Sequence, residues 1–291
     1  MLFRGIYAPL VTPFDHRGNI YWSKVEHNVA QLLRTELSGF LVCDRWGEGP
    51  LLSASERAEI WQRVATLAGA DAQVLAAISG YGVTQAREAV AAAEAAGCAC
   101  AVLDAPDVSE MAPQADAAEL FFRAVADKSA LPVVVGARLG GTAGPAAQRL
   151  ASLAAHPAIV GALVEGGSAK EIETAATMCG PDFSILVRDL GATAQGLSNG
   201  ARAAVLAIAA AVPFYALSIE EAIRTREHDA AADLVARALE LDRLLHAHGV
   251  PALKCALDLR SCYGGIPRLP LPAASPATVA AVSGALRELA S

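Results

Sequence analysis

The chain of 291 residues is 54% hydrophobic and only 18% charged, with a formal net charge of -7. Such a composition supports a large buried core and excludes a disordered chain. An acidic chain with no run of Lys or Arg is not built for nucleic acid or an anionic membrane surface, so the expected partner is a small molecule or another protein.

Six cysteines, at 43, 98, 100, 179, 255 and 262, form no C-x-x-C pair and have no histidine at metal-ligand spacing. They read as reduced, buried thiols of a cytoplasmic protein. Met1-Leu-Phe-Arg-Gly lacks the charged and apolar regions of a signal peptide. The longest apolar run, Ala203–Leu217, is interrupted by Pro213 and reads as strand then helix, not as a membrane span.

Strand-like and helical patterns alternate along most of the chain with the spacing of a βα unit. The spacing predicts strands at Gly5–Leu10, Gly39–Cys43, Val74–Ile78, Cys100–Leu103, Pro132–Val135, Ile159–Val164, Ser184–Val187 and Ala203–Leu206. Amphipathic helices fall between them, the first over Trp22–Leu37. Ser53 with Glu56 and Ser168 with Glu171 are capping boxes, and Pro145 suits a first helical turn. Eight such units predict an α/β fold, a closed (β/α)8 TIM barrel over residues 1–213, with a doubly wound sheet as the alternative. Residues 214–291 turn helical, near Asp229–His248, Val250–Cys262 and Ser275–Ala290, and are expected to pack on the barrel as an extension.

The sixth strand is where chemistry is expected. Alternation puts Gly161, Leu163 and Glu165 on one face and Ala162 and Val164 on the other. The ends of the other strands supply Asp44, Arg45 and Trp46, then Asp104, Arg138, and Arg188 with Asp189. In a barrel those ends line the pocket whatever the reaction.

Several segments stand in the order of one family: Leu10-Val-Thr-Pro-Phe, Gly39-Phe-Leu-Val, Gly47-Glu48 followed by Pro50-Leu-Leu-Ser53, His156-Pro-Ala-Ile-Val-Gly161 and Pro251-Ala-Leu-Lys254. Over nearly its full length the chain resembles the dihydrodipicolinate synthase / N-acetylneuraminate lyase family. The resemblance implies a class I aldolase barrel with a helical tail, a homo-oligomer (dimer or tetramer), and a small carboxylate or 2-oxo acid as ligand. It also implies an imine-forming lysine on the sixth strand, an amine that attacks the ketone and creates an electron sink. That position holds Leu163.

The four lysines, Lys24, Lys128, Lys170 and Lys254, all fall outside the predicted strands. Other departures run the same way. The family's Gly-Thr-Thr-Gly-Glu loop matches Asp44-Arg-Trp-Gly-Glu48, the tyrosine expected after the fifth strand falls on Gly136, and an arginine expected nearby falls on Gly141. The tyrosine that a neighbouring subunit supplies falls near Asp107-Val108.

The residues support two readings. In the first, the barrel has lost imine-forming aldolase activity and keeps a pocket for a small carboxylate, with Arg45, Trp46, Glu48, Arg138, Leu163 and Arg188 as its contacts. In the second, a divergent lyase or hydratase works without a Schiff base, with Glu165 or Asp44 as acid or base. Ion pairing among the same charges is the structural alternative to a ligand site. No cofactor or metal is expected: the glycine-rich spots lack a phosphate or dinucleotide fingerprint, and the six histidines are assigned to helices, the tail or the opposite rim.

Overall fold

The computed structural model describes residues 3–140, 143–260 and 262–289; Met1 and Leu2, Gly141, where an arginine is expected from the resemblance, and Ala290, the expected end of the last helix, lie outside the described residues. Eight parallel strands close into a barrel in chain order: β1 (Gly5–Leu10), β2 (Gly39–Val42), β3 (Gln73–Ile78), β4 (Cys100–Leu103), β5 (Val133–Arg138), β6 (Ile159–Glu165), β7 (Ser184–Val187) and β8 (Ala203–Val205). β8 pairs with β1 through Gly5 and Ala203, so closure leaves no open sheet edge.

Strand alternation divides the core into two layers. Tyr7, Leu41, Leu75, Val134, Leu163 and Leu186 belong to one buried cluster that fills the barrel. Their neighbours Ala8, Phe40, Val74, Val135, Ala162 and Ile185 face the helices in a second, larger cluster. The parity expected for β6 therefore holds.

The helices between the strands are α1 (Trp22–Leu32), α2 (Ala54–Ala68), α3 (Val83–Ala95), α4 (Gln114–Ala126), α5 (Ala143–Ala154), α6 (Ala169–Cys179) and α7 (Leu190–Ser198). Both expected capping boxes form, at Ser53 and Ser168. Helix α1 stops five residues short of the expected Leu37. The Thr35 hydroxyl donates to the Leu32 carbonyl at 2.6 Å, and the chain turns to bring the Ser38 amide onto Ile6. Strand β5 instead runs past the expected Val135 to Arg138, because it continues to pair with β6 up to Glu165.

After β8 come α8 (Ala207–Ala211), α9 (Pro213–Arg224), α10 (His228–His248), α11 (Val250–Asp258) and α12 (Pro276–Glu288). Helix α9 packs on β1 and α7, while α10 lies against α7, α9 and α12. Helix α11 ends before the expected Cys262 because the Asp258 carboxylate accepts from the Gly264 amide at 2.8 Å. There the returning chain lies so close to Lys254 that any Cβ at Gly264 would collide with its backbone.

A buried ion pair joins this tail to the barrel. Lys254 Nζ of α11 stands 2.6 Å from Glu48 Oε1, and both side chains are essentially inaccessible. The same ammonium donates to the carbonyls of Thr12 and Ile266 and lies 4.6 Å over the Phe14 ring. A buried charge so surrounded is stabilising only while every partner remains. Lys254→Ala is expected to lower stability by about 3–5 kcal/mol, because Glu48 is left charged without compensation. Urea unfolding of the variant checks this, and an unchanged midpoint would refute the account.

Candidate functional site

The C-terminal ends of the strands open into a cavity of about 700 Å³ whose mouth is lined by Asp104, Gly136, Arg138, Leu163, Glu165 and Arg188. Leu163 is 2% exposed and forms part of the apolar floor. No lysine reaches this floor. Lys170 is exposed on α6 and pairs with Glu173 at 2.9 Å, Lys24 lies against Tyr263, Lys128 is exposed just past the end of α4, and Lys254 is held by Glu48.

The rim is a charge cluster assembled from five strand ends. Glu165 stands 3.7 Å from both Arg45 and Arg138, bridging the loops after β2 and β5. At that distance and exposure such pairs contribute little stability. Arg188, half-buried on the cavity wall, forms no side-chain hydrogen bond and no ion pair within 4 Å among the described residues. Its charge nonetheless acts on the two most buried acids of the rim, Asp44 and Asp104.

Asp44 is 5% exposed, and its Oδ1 accepts from the amides of Trp46 and Gly47 at 3.0 and 3.1 Å. Burial pushes its pKa up to about 6; Arg188, the two amides and Arg45 pull the other way and do not win. Burial likewise raises Asp104, against the pull of Arg188 and Arg45. Asp104 also explains the empty position at 136: a Cβ on Gly136 would run into its carboxylate. A side chain at 136 and the observed place of Asp104 are mutually exclusive.

The loop that carries Asp44 and Arg45 is tightly wound. Cys43 and Glu48 have φ near 64° and 59°, a left-handed conformation that costs non-glycine residues energy. Thr12 donates to the Gly47 carbonyl at 2.6 Å, and Arg57 donates to the carbonyls of Gly49 and Leu52. This winding turns Glu48 away from the mouth and into its pair with Lys254. Trp46 is likewise buried: its ring meets His246 edge to face, with centroids 5.4 Å apart, in the wall of a separate cavity of about 440 Å³. The structure thus brings Asp44, Arg45, Arg138, Leu163, Glu165 and Arg188 together and leaves Glu48 and Trp46 outside.

Asp242 of α10 joins the rim unforeseen, with His246 behind it against Trp46. Burial raises Asp242 to about 6, opposed by His246, reinforced by Asp189 and opposed again by Arg45. Their i, i+4 spacing was visible in the sequence. What the sequence did not show was that this turn of α10 docks at the barrel mouth.

Architecture and rim together define an α/β barrel with a cavity edged by charged side chains at its C-terminal face. The Dihydrodipicolinate synthetase family model matches residues 2–288, and the chain belongs to that family. It is 30% identical over 292 residues to the 4-hydroxy-tetrahydrodipicolinate synthase of Synechococcus sp. (strain CC9605), covering 99% of this chain and 95% of that one. It is 28% identical to an Emericella nidulans protein named as a probable mitochondrial 4-hydroxy-2-oxoglutarate aldolase, covering 99% of this chain and 95% of that one. The crystal structure of a dihydrodipicolinate synthase from Bacillus anthracis superposes with a TM-score of 0.89 at 22% identity, covering 98% of each chain.

The raised pKa of Asp44 makes stability depend on pH. A carboxyl whose pKa rises from 3.8 to about 6 on folding contributes stability below 3.8 that is lost as the pH rises through about 6. Asp44→Asn keeps the acceptor for both amides and removes the charge. The variant should therefore gain stability relative to the parent between about pH 4.5 and about pH 7.5. Urea midpoints at the two pH values read the difference; a gap that does not change with pH would contradict it.

Proposed function

We propose that this protein binds a small organic carboxylate at the barrel mouth and does not form an imine with it. The observation that carries the reading is Arg188: a half-buried guanidinium on the cavity wall, without an ion pair among the described residues, above an apolar floor at Leu163. Arg45 and Arg138 share Glu165 at 3.7 Å, loosely enough for a ligand carboxylate to replace it.

The family resemblance places the imine lysine at 163 and the proton-relaying tyrosine at 136. Leu163 has no nucleophile, and Asp104 takes the room a side chain at 136 would need. The four lysines have other surroundings. These facts support the loss of imine-forming aldolase chemistry.

A second reading is favoured by Asp44, an acid held near pH 6 beside Arg188 and Arg45. Such a group can give and take a proton close to neutral pH, the requirement for a lyase or hydratase that works on a carboxylate without a Schiff base. Glu165, bridging two arginines, suits an electrostatic role better than proton transfer. Self-association is part of the proposal, supported by the apolar side chains of Met111 and Leu120 standing exposed along the β4–α4 segment.

Borohydride reduction in the presence of pyruvate, read by intact mass, is expected to leave all four lysines unmodified. A stoichiometric adduct on any of them would overturn the proposal. Calorimetric titration with pyruvate and longer 2-oxo acids is expected to show binding that Arg188→Gln weakens at least about tenfold, the loss of one charge-assisted contact.

A further inference from the structure

The cavity does not end at the mouth. It passes over the end of β5, from the barrel interior to the space between α4 and α5, where its walls are Ala118 and Phe122 of α4, Leu139, and Leu150 and Leu153 of α5. The passage exists because Ala137, facing the helices over the end of β5, has only a methyl group, while the space beside Gly136 is taken by the Asp104 carboxylate. The outward neighbours Val133 and Val135, lower on the same strand, are fully buried, whereas Ala137 is half-exposed.

Two of the polar side chains along the arm are already occupied. Gln114 accepts from the Val108 amide and donates to the Pro106 carbonyl, and Glu119 is held by Arg123 and Ser152. Arg149 stands exposed on α5 along the cavity. The result is a charged head compartment at Arg188 joined to a predominantly apolar arm. A three-carbon acid would occupy the head and leave the arm unfilled, whereas an apolar substituent would gain burial along it.

We propose that the acid taken by this site carries an aliphatic or aromatic arm that lies between α4 and α5 while its carboxylate meets Arg188. This rests on the carboxylate reading of the mouth and names the class of acid.

The test titrates the intact protein with pyruvate, 2-oxobutyrate, 2-oxohexanoate, 2-oxooctanoate, phenylpyruvate and the diacid 2-oxoglutarate. Affinity is expected to rise about two- to fourfold for each methylene added, as burial of apolar surface requires. Ala118→Phe, which fills the arm, should abolish that rise and leave pyruvate binding unchanged; Ala115→Phe, one turn earlier on α4, serves if the first variant does not fold. Affinity independent of chain length, a preference for the diacid, or a plug that weakens pyruvate as much as 2-oxooctanoate would overturn the proposal. Length-independent binding that still depends on Arg188 would retire the arm alone. Failure of every acid to bind would retire the carboxylate reading with it.

Discussion

Glu48 and Lys254 face each other across the seam between barrel and tail, and the form of the mouth depends on that pair. The Lys254 ammonium is also tied to the carbonyls of Thr12 and Ile266, and the Arg268 amide donates to the other Glu48 oxygen at 2.8 Å. Arg268 then grips Glu56 at the start of α2 and the carbonyls of Gly18 and Leu51. One tail segment therefore holds the loops after β1 and β2 in a single arrangement. The strained backbone at Cys43 and Glu48 persists because these contacts over-determine it.

Gathering charge in the confined space of the rim changes the charge itself. Five acids, Asp44, Asp104, Glu165, Asp189 and Asp242, share three arginines, and those buried most deeply are pushed toward their neutral forms. Protonating one of these acids leaves a guanidinium with less of its charge neutralised. Ion pairs alone would account for Glu165 with its two arginines; they do not account for Arg188.

Glycine at 136 links two features that look separate along the chain. It gives Asp104 the room for its carboxylate, and so places that acid in the wall of the cavity that reaches α4 and α5. Fold and family say little about which chemistry such a site performs, since the same barrel serves many. The particular side chains at 44, 104, 136, 163 and 188 carry that information.

The strand order, the inward place of Leu163, the capping boxes at Ser53 and Ser168 and the family were legible in the sequence, because alternation, caps and turn residues are local and periodic. Much of the rim was legible too, since βα loops of a barrel point to one face. The turn of Glu48 into the tail, the burial of Trp46, the arrival of Asp242 and His246 and the apolar arm beyond Gly136 were decided by tertiary structure. Each depends on where a distant segment packs: α10 and α11 lie some two hundred positions from the β2 loop, and no local pattern encodes which face of a helix will close a given seam.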